Sequence, residues 1–199
     1  MGAVFLAIHN LNFQVNQIVR SNIFLIVCCA FYLAWWLIAF KPTGAVKGMK
    51  TGWLLIPAFI AGLYAIILAA KGMSSASAGS ALFPDGSLLW GGIAAYIILF
   101  AVTRLIFKRP VTTELFLIVG WAAMALSEVN TLYGVKCFGY KAAVTFIVVI
   151  IAAALVSLVC YVLYYNLDKR AGYFDGMVPL LIVAIVAASI SVAALSSAS

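Results

Sequence analysis

Histidine and acidic side chains are scarce in this sequence, which limits the chemistry it can carry. Its 199 residues include one histidine, His9, and five Asp and Glu residues. His9 lies outside the long apolar segments, so these segments cannot supply paired haem imidazoles, clustered imidazole metal ligands or a Ser–His–Asp triad. Walker and Gly-x-Gly-x-x-Gly motifs are also missing. We therefore expect no metal, no cofactor and no catalytic residue, and the sequence leans against an enzyme.

The four cysteines do not form a redox or disulfide motif. Cys28, Cys29 and Cys160 fall in apolar segments, and only Cys137 falls in a loop. A Cys-x-x-Cys pair is absent, which argues against thiol–disulfide chemistry. We expect the three cysteines in apolar segments to act as small apolar residues, and Cys137 to have no obvious partner.

Charge is rare and apolar residues dominate. The chain is 67% apolar and 9% charged, with a mean hydropathy of +1.20, whereas soluble domains are about half apolar and a quarter charged. Its apolar runs are about twenty residues long, the length that crosses the bilayer core as a helix. The sequence predicts an all-α polytopic membrane helix bundle, forming a single membrane domain over residues 1–199. Six spans are predicted, at about 22–40, 52–70, 88–107, 113–133, 142–165 and 177–195.

Residues 1–20 are too polar for a comfortable span. His9, Asn10, Asn12, Gln14, Asn16 and Gln17 interrupt the apolar residues. The remaining apolar positions are compatible with an amphipathic helix lying on the membrane surface. A cleaved signal peptide is less favoured, because an early basic region and a small-residue cleavage site are missing. We predict an interfacial helix before the first span.

The basic residues predict an orientation. Of the twelve Lys and Arg residues, eight lie in or beside the loops that follow spans one, three and five: Lys41, Lys47, Lys50, Arg104, Lys108, Arg109, Lys169 and Arg170. The positive-inside rule then places loops 41–51, 108–112 and 166–176 in the cytoplasm and both termini outside. The net charge of +7 fits anionic lipid head groups and requires no nucleic acid.

Glu128 is the strongest candidate for a solute site, because a carboxyl group within a span is costly and usually faces protein or water. It lies in the segment WAAMALSEVNTLYG. Helical periodicity places Trp121 and Thr131 near its stripe, with Asn130 at the flank. These four residues could line a polar cavity. The alternative is a carboxyl group that snorkels outward or bonds a neighbouring helix.

A second group of charged and aromatic residues is predicted at the cytoplasmic ends of the spans. It comprises Arg104, Glu114, Tyr165, Asp168 and Asp175. An ion pair between Arg104 and one of these acids could connect helix hairpins, and the aromatic part could bind a head group or a charged solute. Ordinary snorkelling and an aromatic belt explain the same pattern.

Three functions remain open on sequence alone. The favoured one is a small permease or channel that binds or passes a small solute near Glu128. A structural or accessory subunit of a membrane complex is the first alternative, because small-residue pairs such as Ala58 and Gly62, or Ala61 and Ala65, suit helix packing within or between subunits. A membrane-embedded enzyme acting on lipid is the second. The expected partners are the lipid bilayer, a possible second copy and other membrane subunits.

Overall fold

The computed structural model describes residues 2–39, 49–74, 81–84, 86–106, 108, 113–164 and 166–198, and these residues are almost entirely helical. Strands are absent from this described part of the chain. The α-helices are α1 (Gly2–Ala39), α2 (Leu55–Ser74), α3 (Ser87–Ala101), α4 (Thr113–Gly134), α5 (Tyr140–Leu163), α6 (Lys169–Asp175) and α7 (Val178–Ala198). A 3₁₀ segment, Met49–Leu54, precedes α2, and a π-helical segment, Val102–Ile106, continues α3.

Six helical segments of the described residues are long and apolar enough to cross a membrane, which confirms the predicted all-α bundle. Their bounds are Asn12–Ile38, Gly52–Met73, Ser87–Ile106, Glu114–Gly134, Tyr140–Leu163 and Arg170–Ala198. Spans two to five agree with the sequence-based bounds to within three residues, and the sixth begins earlier because α6 leads directly into α7. The chain is thus compatible with a multi-pass integral membrane protein.

The N-terminal segment is helical, as predicted, and continues directly into the first span. No break separates an interfacial helix at residues 1–20 from the first span, because α1 is continuous from Gly2 to Ala39. Gln14, Val15 and Ile18 are buried against neighbouring helices, with exposures of 3% or less. Of the polar residues that disfavoured a span, Gln14 therefore faces protein within the bundle, where a membrane helix tolerates it, whereas Asn12 and Asn16 are exposed. At 1.5 Å per residue, α1 is about 57 Å long and must tilt or extend beyond the bilayer core.

Small residues allow α1 and α2 to pack closely. Ala58, Ala61 and Ala65 of the predicted small-residue pairs are buried. A Cβ added to Gly62 would lie 3.3 Å from Cys28 Sγ, and one added to Gly72 would lie 3.2 Å from Ile18 Cγ1. This spacing of small residues lets two helix backbones approach in lipid, where dispersion contacts drive association.

The other helices pack around this pair. α7 packs against α1 and α5, and α4 packs against α5 and α2. α3 lies on the outside, against α4, and contributes no buried residue of its own. Its contact is close at one point, where a Cβ added to Gly92 would lie 3.0 Å from Ala123 Cβ. The bundle interior is therefore formed mainly by α1, α2, α4, α5 and α7.

The loop between α4 and α5 is folded into the bundle. Cys137 is buried, its Sγ donates to Ala194 O at 3.6 Å, and Phe138 stacks on Phe146 with ring centroids 5.3 Å apart. Burial also raises the pKa of the Cys137 thiol. The loop position predicted for Cys137 is confirmed, but the thiol does have a partner, a backbone carbonyl of α7.

This burial predicts slow chemistry at Cys137. A raised pKa leaves less thiolate at any given pH, and the thiolate is the reactive form. In a variant whose other cysteines are replaced by alanine, we expect iodoacetamide at pH 8 to modify Cys137 at least tenfold more slowly than after unfolding. The control carries Lys141→Cys in place of Cys137, since residue 141 is exposed, and should react equally fast folded and unfolded. Equal rates for folded and unfolded Cys137 would contradict the described loop.

Candidate functional site

A cavity of about 190 Å³ lies between four parts of the bundle. α1, α4, α5 and the junction of α6 with α7 line it. The lining residues nearest the helix ends are Trp36, Glu114, Tyr164 and Asp175, and those nearest the bundle centre include Leu25, Trp121 and Ser157. Glu114, Tyr164 and Asp175 are only half-buried. The cavity therefore extends inward from the end of the bundle where α1 and α5 finish and α4 begins.

One face of α1 forms a wall of the cavity. Leu25, Cys28, Tyr32 and Trp36 lie three or four residues apart and all line it, as expected for a single helical face. Trp36 is fixed at the end of this face because its Nε1 donates to Tyr173 O in α6 at 3.0 Å. The position of the indole at the cavity entrance thus depends on the short helix before α7.

Two carboxyl groups face each other across the entrance region. Glu114 comes from the first turn of α4, and Asp175 from the last turn of α6. They lie close enough to repel one another electrostatically. Burial, and after it the negative charges of Glu114 and Asp175, raise the pKa of the nearby Tyr164. Two carboxyl groups and several aromatic rings therefore line the entrance.

Ser157 is the most informative polar residue deeper in the cavity. Its exposure is 1%, it lines the cavity, and its Oγ has no hydrogen-bond partner. Other hydroxyls within these spans bond the carbonyl one turn earlier: those of Ser127, Thr131, Thr145, Ser189 and Ser191 do so at 2.8–2.9 Å. A buried hydroxyl without a partner costs about 1–3 kcal/mol. Ser157 therefore presents an unused donor and acceptor to whatever occupies the cavity.

Glu128 lies below the cavity floor and does not line it. Its exposure is 1%, and it follows Trp121 by seven residues, which places it about 10 Å deeper along α4. Ser21 Oγ lies 3.3 Å from Glu128 Oε1 and donates to Ala65 O at 2.9 Å. The Asn22 side chain also faces this carboxyl group, and its Nδ2 lacks a hydrogen-bond partner. This polar centre joins α1, α2 and α4.

The other residues predicted around Glu128 are separated by the structure. Trp121 lines the cavity and is 8% exposed. Asn130 holds the loop before α3, since Phe83 N donates to Asn130 Oδ1 at 3.0 Å and Asn130 Nδ2 donates to Phe83 O at 3.2 Å. Thr131 donates to Ser127 O of its own helix. Of the four residues, Trp121 alone faces the cavity.

The predicted charge cluster is also divided. Glu114 and Asp175 meet in the cavity, whereas Asp168 accepts from Ala171 N at 3.0 Å and caps the start of α6. Arg104 is exposed on the π-helical segment. Within the part of the chain that the structure describes, no ion pair joins Arg104 to these acids. Tyr165 lies outside the described residues.

Sequence reasoning missed three residues of these two polar centres. Ser157 carries no sequence signal that separates it from the other hydroxyls of the spans. Ser21 and Asn22 fell at the boundary drawn between the predicted interfacial helix and the first span. Ser21 and Asn22 follow Gln14 by seven and eight residues, which places them on the same side of a helix as Gln14 and Leu25. This spacing could have indicated that the polar face continues into the span.

The described residues include no group of three or more His, Cys, Asp or Glu side chains placed to hold a metal ion. The chain matches no protein-family model, no curated protein and no solved structure. A functional proposal must therefore come from the chain's own cavity, charges and hydrogen bonds.

Proposed function

We propose that this protein is a small membrane permease that takes a small solute into the cavity between α1, α4, α5 and α7. The observation that carries the proposal is Ser157, a buried hydroxyl that lines the cavity and has no partner. Binding sites typically combine a largely apolar lining with a few polar groups that orient the ligand. Ser157 and the carboxyl groups of Glu114 and Asp175 provide such groups here.

A face of α1 continues from the cavity towards the opposite end of the bundle. Gln14, Ser21, Leu25 and Cys28 follow one another at helical spacing. Gln14 and Ser21 are buried, and Gln14 Oε1 has no hydrogen-bond partner. Leu25 and Trp121 stand between these polar groups and the cavity. This order of cavity, apolar barrier and buried polar groups is what a gated pathway for a solute requires.

The proposal places the cavity entrance in the cytoplasm. The entrance lies at the ends of the spans that carry most of the basic residues, and the positive-inside rule assigns that end to the cytoplasmic face. Both termini would then lie on the other side. Protease or tag accessibility at the C-terminus of intact cells tests this orientation.

Solute flux into proteoliposomes tests the permease. The panel comprises a neutral polyol, a small carboxylate and a small organic cation. We expect wild-type protein to accelerate the flux of at least one class, and Ser157→Leu to reduce that flux at least tenfold by filling the cavity with apolar atoms. Ser189→Leu is the matched control, because Ser189 is exposed and bonds only its own helix; it should leave flux unchanged.

Two results would overturn the proposal. One is background leak for every class in the panel with protein that is folded by size-exclusion and thermal criteria. The other is equal flux through wild type and Ser157→Leu, which would show that solute does not pass through this cavity.

A further inference from the structure

We propose that the solute is a small organic cation, an ammonium compound with an apolar body, bound between the acidic entrance and Ser157. This inference rests on the proposed permease function and names its substrate class. It follows from the charge, the aromatic content, the unpartnered polar atoms and the size of one cavity.

The charge of the lining favours a cation. Glu114 and Asp175 line the cavity, and no Lys or Arg is among the described residues that do. The chain has twelve basic and five acidic residues, so the two acids and the absence of a base among the described lining residues are the reverse of its overall composition. Among the basic residues of this end whose side chains the structure describes, Arg104, Lys108 and Arg170 are exposed. A cation between the two carboxyl groups would relieve their mutual repulsion.

Aromatic rings surround the same space. Tyr32, Trp36, Trp121, Tyr161 and Tyr164 all line the cavity, and Trp36 and Tyr164 meet edge to face with centroids 6.1 Å apart. The faces of such rings attract cations, and cages of aromatic residues are a common means of binding quaternary ammonium groups. An anion would instead meet the negative faces of the rings and two carboxyl groups.

Two unpartnered polar atoms mark the positions of the solute's own polar groups. Asp175 Oδ2 is buried without a hydrogen-bond partner, and it can accept from an N–H or face a cationic nitrogen. Ser157 Oγ, deeper in the cavity, can accept from or donate to a polar substituent. Both atoms lack an intramolecular partner, so a bound solute would satisfy them.

The volume of the cavity suits a solute of a few heavy atoms. An apolar cavity of about 150 Å³ holds benzene, and this one measures about 190 Å³. Choline combines a cationic head of suitable size with one hydroxyl group and is therefore our probe. Its neutral isostere, 3,3-dimethylbutan-1-ol, has the same shape with carbon in place of nitrogen.

Calorimetric titration of the full chain in nanodiscs tests the inference. We expect choline to bind at least tenfold more tightly than 3,3-dimethylbutan-1-ol. Glu114→Gln and Asp175→Asn should each weaken choline binding about tenfold or more and leave the weak binding of the isostere unchanged. Asp168→Asn is the matched control, because Asp168 is exposed and caps α6, and asparagine caps equally well.

Cys160 gives a second measurement that does not depend on the carboxyl variants folding. It lines the cavity beside Asp175. In a chain with Cys28, Cys29 and Cys137 replaced by alanine, a trimethylammonium methanethiosulfonate should modify Cys160 at least tenfold faster than a sulfonate reagent of similar size. A variant with a cysteine at exposed residue 141 in place of Cys160 gives the intrinsic reaction rates of the two reagents, to which the rates at Cys160 are normalised. Choline should slow the modification of Cys160 and leave that of residue 141 unchanged.

The outcomes separate this inference from the permease function. Equal affinity for choline and its isostere, or faster modification of Cys160 by the anionic reagent, would overturn the cation site. Flux of the polyol or the carboxylate without flux of choline would leave a permease but overturn its substrate class. Choline binding that depends on Glu114, without flux of any solute, would support the cation site and overturn transport.

Discussion

Replacing Glu128 by lysine is expected to prevent the bundle from assembling. Glu128 is 1% exposed and faces Ser21 and Asn22, so a lysine there would place an ammonium group among uncharged neighbours. An unpaired charge in such a position costs several kcal/mol, a large fraction of the stability of a folded domain. We expect loss of the monodisperse peak in detergent size-exclusion chromatography and of a cooperative thermal transition.

Glutamine at the same position is expected to be tolerated to within about 1 kcal/mol. A hydroxyl has one hydrogen, and the shorter contact of Ser21 Oγ, to Ala65 O at 2.9 Å, uses it. The 3.3 Å contact with Glu128 is then a hydrogen bond only when the carboxyl group itself donates. A glutamine amide N–H can donate in the same place, so Glu128→Gln should retain the thermal midpoint of the wild type.

Asp168→Lys is the control for this pair of variants, because it makes the same change of formal charge at an exposed site. It should cost only the loss of a helix cap, about 1 kcal/mol. Assembly of Glu128→Lys with wild-type stability would mean that residue 128 reaches water or head groups, and would contradict its burial between α1, α2 and α4.

The span pattern was predictable because it depends on composition over about twenty residues. Lipid requires every backbone polar group to be paired within a helix, so apolar runs such as residues 142–165 could be assigned without knowing what they contact. The first helix that is long and apolar enough to span begins at Asn12 rather than near residue 22, because the same reasoning treats Gln14 as a polar interruption. Whether a glutamine is buried depends on partners that are distant in sequence.

The cavity could not be predicted for the same reason. Glu114 and Asp175 are sixty-one residues apart, and only the packing of α4 against α5 and α7 brings them to one entrance. Sequence reasoning did select both acids and Trp121 as candidates, since charge and tryptophan in or beside spans are rare. It could not separate them from Asn130, whose amide holds a loop. A polar side chain in a span can either line a cavity or bond a neighbouring segment, and the sequence does not distinguish these two roles.

The junction of α6 with α7 gives the second prediction with a large expected effect, at Gly176. A Cβ added to Gly176 would collide with Trp36 Cζ2 and lie 2.8 Å from Cη2, whereas carbon atoms in contact are about 3.5–4.0 Å apart. The backbone of Gly176 has φ −66° and ψ −15°, which any residue adopts. The glycine is therefore required for space alone, and Gly176→Ala must displace the indole from the cavity entrance.

We expect Gly176→Ala to lose the hydrogen bond from Trp36 Nε1 to Tyr173 O, to lower stability by about 1–3 kcal/mol as overpacking does, and to reduce choline binding at least tenfold. Gly172→Ala is the matched control in the same short segment. Its Cβ would lie 3.7 Å from Tyr164 Cε2, an ordinary contact, so it should behave as wild type.

In a Trp36→Leu background the Gly176→Ala change should cost little, because the ring it collides with is gone, and a double-mutant cycle on thermal stability measures that coupling. Additive effects of Trp36→Leu and Gly176→Ala would show that the space left by Gly176 does not determine the position of the indole. The hydrogen bond from Trp36 to Tyr173 would then hold the indole at the entrance by itself.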